Sequence, residues 1–482
     1  MQKESLRQLA LVIGLGASGQ ACALHLARRG WQVRVADTRE APVGAKQLAE
    51  RLPEAEIVTG GLPESLLEGV SLLVMSPGLS PFYGDAQPIV SRAKTLGIDV
   101  VGEIELFARA LQTLSKEKAY HPIVIGITGT NGKTTTTTLV TRMANASGRY
   151  AVAAGNIGPN AVTELDKALD TDRLPDVWVL ELSSFQLATT SSLVCQSAAI
   201  LNVTEDHLDW HGDMVAYAAA KGRIFASDTV RVVNREDVET MRLAGTGPRR
   251  TFGSNAPEVE GDYGLVQCDD SQLWLAAKLP QGGETSFTPE SALLIAGRHN
   301  AMNALAALAL VESAGLPLES ALEALATYRG EPHRVAPVLT HQGVTFIDDS
   351  KGTNVGAVVA ALKGFAAQSR RILILLGGDG KGQDFSPLVD ALRNTTGAIA
   401  LIGRDADKIG AVLAPLGIPM CRCATLEEAV DWLWTHHQTG DVLLLSPACA
   451  SWDMFRDYAE RSERFVACAH RIAAEGSLCS DA

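Results

Sequence analysis

Short runs of aliphatic and β-branched residues recur along the chain, each closing on Gly or a small polar residue and leading into a stretch of helical period. The first, residues 9–13, opens into Gly14-Leu-Gly16-Ala-Ser-Gly19 and a helical stretch to Arg29. Further runs at 33–36 and 72–75 end at Asp37 and at Ser76-Pro77-Gly78. Continuous apolar strands alternating with helices predict a parallel, doubly wound sheet covered on both faces.

The rhythm resumes twice. Runs at 123–127, 177–182, 198–202 and 230–233 form a second α/β segment. Between about 250 and 295 the helical period weakens, and pieces such as 273–276 predict a small β layer inside that segment. Helix returns at 300–314 and 318–328, and the turn-rich Gly330-Glu-Pro-His-Arg334 reads as a boundary. A third segment carries strands at 344–347, 372–376, 398–402 and 442–445. The polar stretch 112–122, with Lys116, Glu117 and Lys118 before Pro122, reads as a linker. The expected division is an N-terminal domain at 1–111, a linker at 112–122, a central domain at 123–330 and a C-terminal domain at 331–482. A length of 482 residues agrees with about three domains of roughly 150 residues each.

Composition narrows the function. Hydrophobic residues make up 46% and charged residues 20%, which describes a globular chain and excludes a disordered or collagenous one. Forty-two Lys+Arg against 55 Asp+Glu leave a net charge of −13, a field that repels a nucleic-acid backbone. No apolar run reaches the ~18–20 residues of a membrane span, and no basic start precedes a cleavable apolar core. Scattered cysteines, including an isolated Cys421-x-Cys423, point to reduced thiols in a cytoplasmic protein. Neither nucleic-acid binding nor membrane insertion is expected.

The chemistry begins at Gly129-Thr130-Asn131-Gly132-Lys133-Thr134-Thr135, between a strand and a helix. A phosphate chain needs unhindered backbone N–H donors and the positive end of a helix, with a Lys for the terminal phosphates and a hydroxyl for Mg²⁺. The first glycine stands two residues late for the usual G-x-x-x-x-G-K-[ST] spacing. Gly14-x-Gly16-x-x-Gly19 with Asp37 downstream fits a dinucleotide turn. Taken alone it predicts a dehydrogenase, but any nucleotide diphosphate can use that geometry, and a dehydrogenase needs no phosphate loop. Glu181 and His207 close neighbouring strands beside that loop; with Thr134, Glu181 offers the oxygen that Mg²⁺ prefers, whereas His207 is a less usual ligand. Lys221 lies in a stretch that composition reads as an ordinary surface helix. In the third segment 348–354, 377–382 and 446–452 bring Lys351, Lys381 and hydroxyls to one sheet edge, which suits an anionic second substrate.

In this order GTNGKTT, GNIG, LELSSFQL, ILNVTEDHLDWH, AAKGRI, HN-x-x-N, EPHR, DDSKGTN, GGDGKG and SPACAS resemble the Mur ligase family, over nearly the whole chain from Gly14 past Tyr458. GTNGKT is shared with folylpolyglutamate synthetases; Asp37-Thr38-Arg39 and the DDSKGTN, GGDGKG and SPACAS trio fit the D-glutamate-adding branch. The resemblance implies three α/β domains: a Rossmann-like domain for UDP, a P-loop ATPase-like domain and a C-terminal Rossmann-like domain for the amino acid. It implies ATP-dependent addition of D-glutamate to UDP-N-acetylmuramoyl-L-alanine through an acyl phosphate, with ATP as co-substrate, two Mg²⁺ ions and a monomeric enzyme of cytoplasmic peptidoglycan synthesis. By resemblance Ala17, Ser18, Asp37, Thr38, Arg39, Ser76, Asn156 and His207 hold the UDP substrate. Gly129–Thr135 with Asn300, Asn303, Arg334 and Asp349 hold ATP, and Lys351, Thr353, Lys381, Ser451, Trp452 and Tyr458 meet D-glutamate. Thr134, Glu181, His207 and a carbamylated Lys221 organise the metal, and Lys133, His207, Lys221, Glu181 and Lys351 carry catalysis. Two residues depart from the family. Trp452 replaces a smaller apolar residue, which leaves a main-chain contact, and Ser462 replaces a glycine and is expected to alter a turn. The alternatives are a folylpolyglutamate synthetase, which needs no N-terminal UDP domain, and the diaminopimelate- or lysine-adding Mur ligase, whose D-N-P-R motif the sequence lacks.

Overall fold

The computed structural model describes residues 8–268, 271–279, 283–295, 297–331, 333–366 and 370–478; Pro332 and Cys479 lie outside them. The fold is three-domain α/β, built on three sheets. The first contains β1 (Leu9–Ile13), β2 (Gln32–Asp37), β3 (Glu56–Thr59), β4 (Val70–Met75) and β5 (Asp99–Gly102). They are all parallel, in the order β3-β2-β1-β4-β5. Chain order reverses at β1, so the turn after it opens into the crevice where such sheets bind ligands.

The second sheet holds β6 (Ile123–Thr128), β7 (Ala151–Gly155), β8 (Val177–Glu181), β9 (Ser197–Ile200), β10 (Val230–Asn234), β11 (Arg249–Phe252), β12 (Asp262–Gln267), β13 (Leu273–Leu279) and β14 (Gly283–Pro289). Its order is β14-β13-β12-β11-β10-β9-β6-β8-β7. β6 lies between β8 and β9, again a point of reversal. The β layer expected near 250–295 is the edge of this sheet: β11 pairs parallel with β12, and β13 and β14 continue antiparallel. The third sheet, in the order β15-β16-β20-β17-β18-β19, contains β15 (Ala336–His341), β16 (Val344–Asp348), β17 (Ile372–Gly377), β18 (Thr396–Ile402), β19 (Met420–Arg422) and β20 (Val442–Leu445).

Two compact units divide the chain. One comprises residues 1–203, 210–292 and 302–327; the other comprises 204–209, 293–301 and 328–482. In the first unit the helix Glu103–Lys118 runs through the first seven residues of the stretch 112–122. Its buried Leu114 faces the core while the polar positions face water, and it stops at Ala119 with φ 52°. Phe107 of that helix packs edge-on against Trp178 of β8, ring centres 5.0 Å apart, so one core joins the first two sheets.

Candidate active site

The turn after β1 is closed by contacts that only glycine allows. A Cβ on Gly14 (φ +101°) would sit 2.7 Å from Ser76 Oγ, and one on Gly19 would sit 1.8 Å from the Gly14 carbonyl. Gly16 faces open space at the N-terminus of the helix Ala17–Arg28, where N–H groups and the helix dipole favour an anion. Ser18 is half-buried there, and Ala17 and Arg39 are exposed. Asp37 is not left open for a ribose. Its carboxylate accepts from Leu15 N at 2.7 Å and from Arg39 Nε and Nη2 at 2.8 and 2.7 Å. Arg39 and these N–H groups hold the carboxyl down at about 2.

The phosphate loop follows β6, which packs between two buried strands and so fixes its position. Thr130 N donates to Asn202 O (3.0 Å), and Asn131 N to Asn202 Oδ1 (2.8 Å). Asn202 at the end of β9 thus shapes the loop, a role its motif position did not single out. Gly132 (φ +83°) leaves room for Asn303, whose Oδ1 would lie 2.3 Å from an added Cβ. Lys133 Nζ donates to the carbonyls of Gly129 (2.8 Å) and Thr130 (2.9 Å), and Lys221 Nζ reaches the same Gly129 carbonyl at 3.0 Å.

Lys221 is not on a surface helix; it is 2% exposed. The helix Met214–Gly222, capped by Asp213 on Ala216 N, turns it inward, 4.5 Å above the Tyr217 ring. Tyr217 OH in turn meets Thr130 Oγ1 at 3.0 Å. Beside it His211 is buried, with Nε2 2.9 Å from Ser184 Oγ; burial first, then the Lys221 charge, hold its imidazole down at about 4. Glu181, at the end of β8, accepts from Asn156 Nδ2 at 2.7 Å through Oε1, while its buried Oε2 has no hydrogen-bond partner. Among the described residues no three His, Cys, Asp or Glu gather as a metal cluster. An orphaned carboxylate oxygen beside the Thr134 hydroxyl's loop nevertheless fits a hard cation that arrives with phosphate oxygens.

The second unit carries His207, Asn300, Arg334, Asp349, Lys351, Thr353, Lys381, Ser451, Trp452 and Tyr458. Lys381 (φ +54°) donates to Asp206 Oδ1 at 2.9 Å, and Asn354 Nδ2 lies 3.5 Å from Oδ2; Asp206 is another residue the motif reading passed over. His207 Nε2 lies 3.5 Å from the same carboxylate. Lys351 Nζ stands 5.0 Å over the Tyr458 ring. Trp452 is 73% exposed, while Ser451 is buried. Ser462 sits inside the helix Tyr458–Leu478 rather than in a turn, and its hydroxyl donates to Asp348 Oδ2 at 2.5 Å with His333 Nδ1 at 2.6 Å.

Asp349 is buried and accepts from Ser446 Oγ at 2.6 Å. Burial pushes its carboxyl up to about 7, opposed by that hydroxyl and the Arg334 charge. A carboxyl raised on folding stabilises the fold fully below its unfolded value near 4, and that contribution is lost as pH rises through about 7. The wild-type unit should therefore lose on the order of 3 kcal/mol between pH 5 and pH 8 from this group. Asp349→Asn should flatten that slope in thermal melts across the same range; an unchanged slope would assign it to other groups.

Three family models match successive stretches of the chain. Residues 8–102 match the family described as Mur ligase MurD-like, N-terminal domain, 127–311 the Mur ligase middle domain, and 333–449 the Mur ligase, glutamate ligase domain. The chain is 48% identical over 487 residues to the UDP-N-acetylmuramoylalanine–D-glutamate ligase of Ralstonia nicotianae, covering 96% of this chain and 97% of that protein. It is also 48% identical over 498 residues to the enzyme of that name from Paraburkholderia xenovorans, covering 98% of each. Among solved structures it resembles the UDP-N-acetylmuramate-alanine ligase MurC of Thermotoga maritima, with a TM-score of 0.58, 21% identity and 96% and 99% of the two chains covered. It also resembles MurF of Acinetobacter baumannii, with a TM-score of 0.60, 18% identity and 95% and 92% covered. At those identities the likeness is one of fold.

Proposed function

The chain belongs to the Mur ligase family, and from that premise we propose that it joins D-glutamate to UDP-N-acetylmuramoyl-L-alanine at the expense of ATP. The observation that carries the reading is the convergence of Lys133 and Lys221 on the Gly129 carbonyl in a glycine-shaped loop, with Glu181's buried, unpartnered oxygen at the end of the neighbouring strand β8. It supports a site built to hold a phosphate chain and the charge that goes with it.

A carboxylate attacking the γ-phosphate of ATP brings two anions together, so catalysis here is positioning and neutralisation. Lys133 would leave its own loop carbonyls for the phosphate oxygens. Magnesium ions, when bound, supply further neutralisation of those oxygens, and Thr134, Glu181, His207 and a carbamylated Lys221 would hold two of them. The acyl phosphate formed has an activated carbonyl carbon; the deprotonated amine of D-glutamate attacks it and phosphate leaves. The turn at Gly14–Gly19 with Ser76 would seat the UDP end, and Asn156 and His207 the sugar-peptide. Asn300, Asn303, Arg334 and Asp349 would complete the nucleotide site. Thr353, Lys381, Ser451, the main chain at Trp452 and Tyr458 would meet D-glutamate with Lys351. The enzyme would work as a cytoplasmic monomer.

The test is phosphate release with ATP, UDP-N-acetylmuramoyl-L-alanine and a panel of D- and L-amino acids. Release with D-glutamate alone of the panel is expected; release only with diaminopimelate or lysine, or with a folate acceptor, would sink the reading. In the same assay Lys351→Ala should raise KM for D-glutamate by about ten- to a hundred-fold and leave KM for ATP nearly unchanged, the loss of one charge-assisted bond. Equal rises for all three substrates would show Lys351 to be structural.

A further inference from the structure

Glu103 is a carboxylate that the proposed chemistry leaves unused, although it is 2% exposed. It opens the helix Glu103–Lys118 directly after β5, and its side chain reaches into the start of another helix, Ala161–Asp170. Oε1 accepts from Val162 N at 3.3 Å, and Oε2 lies 3.3 Å from Gln186 Nε2 and 3.5 Å from Asn160 Nδ2. Asn160 is the N-cap of that ten-residue helix yet makes no cap bond with its own side chain, so a carboxylate from elsewhere in the chain does the capping. Such a carboxylate, taken out of water, is held by donors alone.

Its partners lead in two directions. Asn160 Nδ2 also donates to Ser18 Oγ at 3.0 Å, at the turn proposed to seat UDP. At the other end of the loop 155–160, Asn156 donates to Glu181 twice, from Nδ2 to Oε1 at 2.7 Å and from its backbone N to the Glu181 carbonyl at 2.8 Å. Gln186 closes a capping box with Ser183, just past Glu181. One buried carboxylate is thus a single residue removed from the UDP turn and from both segments that flank Glu181.

We propose that Glu103 is a positioning residue: it ties the UDP-side turn to the loop 155–160, and so sets where the UDP-linked acceptor lies relative to Glu181 and the phosphate loop. It touches no reacting atom. The inference rests on the functional reading above for what the turn binds, but the linkage itself is a property of the fold.

The variant Glu103→Gln keeps the shape but turns one of the two acceptor oxygens into a donor, set against Val162 N on one side or against Gln186 Nε2 and Asn160 Nδ2 on the other; Asn160→Ala cuts the same link from the other side. Calorimetry with UDP-N-acetylmuramoyl-L-alanine should show about ten-fold weaker binding in either variant, with ADP binding within about two-fold of wild type. The double variant should be no worse than the poorer single one, as for residues of one network. Hydrogen exchange should quicken at 14–19 and 155–160 and stay unchanged at 129–135. Equal weakening of ADP and the UDP compound, or effects that multiply in the double variant, would make Glu103 a general stabiliser and overturn the proposal. Unchanged exchange at 14–19 and 155–160 would overturn it too. If wild type itself fails to bind the UDP compound, the functional reading falls, and the exchange experiment still decides the role of Glu103.

Discussion

Lys133→Ala is expected to lower turnover by at least about 10³-fold while the affinity for UDP-N-acetylmuramoyl-L-alanine stays nearly unchanged. The side chain is folded onto its own loop, 2.8 Å from the Gly129 carbonyl and 2.9 Å from that of Thr130. Those carbonyls keep the ammonium in the site, within a side chain's swing of any phosphate cradled by the N–H groups that open the helix Lys133–Ala146. Removing it leaves the charge on the transferring phosphoryl group without a preorganised cation, which costs the transition state more than the ground state. The turn at Gly14–Gly19 follows a strand of a different sheet from the one that carries the phosphate loop, so its ligand should not sense the change. Phosphate release measures the first half and calorimetry the second; a large loss of UDP-compound binding would show that the two sites are not separable.

The residues differ in how far the sequence discloses them, and the reason is physical. Strands buried on both faces read as unbroken apolar runs, so β1, β6, β17 and β20 stand out. β7, Ala151–Gly155, is mostly Ala and Gly and carries no such run. The outer strands β11 and β14 carry no clean apolar run, because several of their positions are partly or wholly in water. Residues 112–118 look like a linker because polarity marks the solvent face of a helix as readily as a loop. The phosphate loop was legible since its chemistry demands glycines, a Lys and a hydroxyl in one short segment. Asn202 and Glu103 were not: each acts through partners far along the chain, and a lone Asn or a Glu at a helix start has no local signature. Asp37 shows the converse, a fingerprint residue whose carboxylate is taken up by Leu15 N and Arg39.

Lys221→Ala should be nearly inactive, and Lys221→Arg no better. The site explains why a plain lysine is an odd resident: the residue is 2% exposed, its ammonium lies 4.5 Å from the Tyr217 ring, and its charge helps keep His211 neutral. Burying a cation next to a phosphate loop helps bind phosphate, but it repels the magnesium ions proposed for Glu181. Reaction of the neutral amine with CO₂ removes that conflict. The amine nitrogen bonds the carbon, a proton leaves, and a cation becomes an anion that offers oxygen. Arginine keeps the positive charge and does not form the carbamate, so it should fail although it is long enough to reach Gly129. Acetate or formate should restore part of the activity of Lys221→Ala by placing a carboxylate in the vacated space. Wild-type enzyme stripped of CO₂ should lose activity and regain it with bicarbonate. Full activity in Lys221→Arg, or electron density that ends at an unmodified amine in an active, magnesium-bound crystal, would refute the carbamate and leave Lys221 as a phosphate-binding cation.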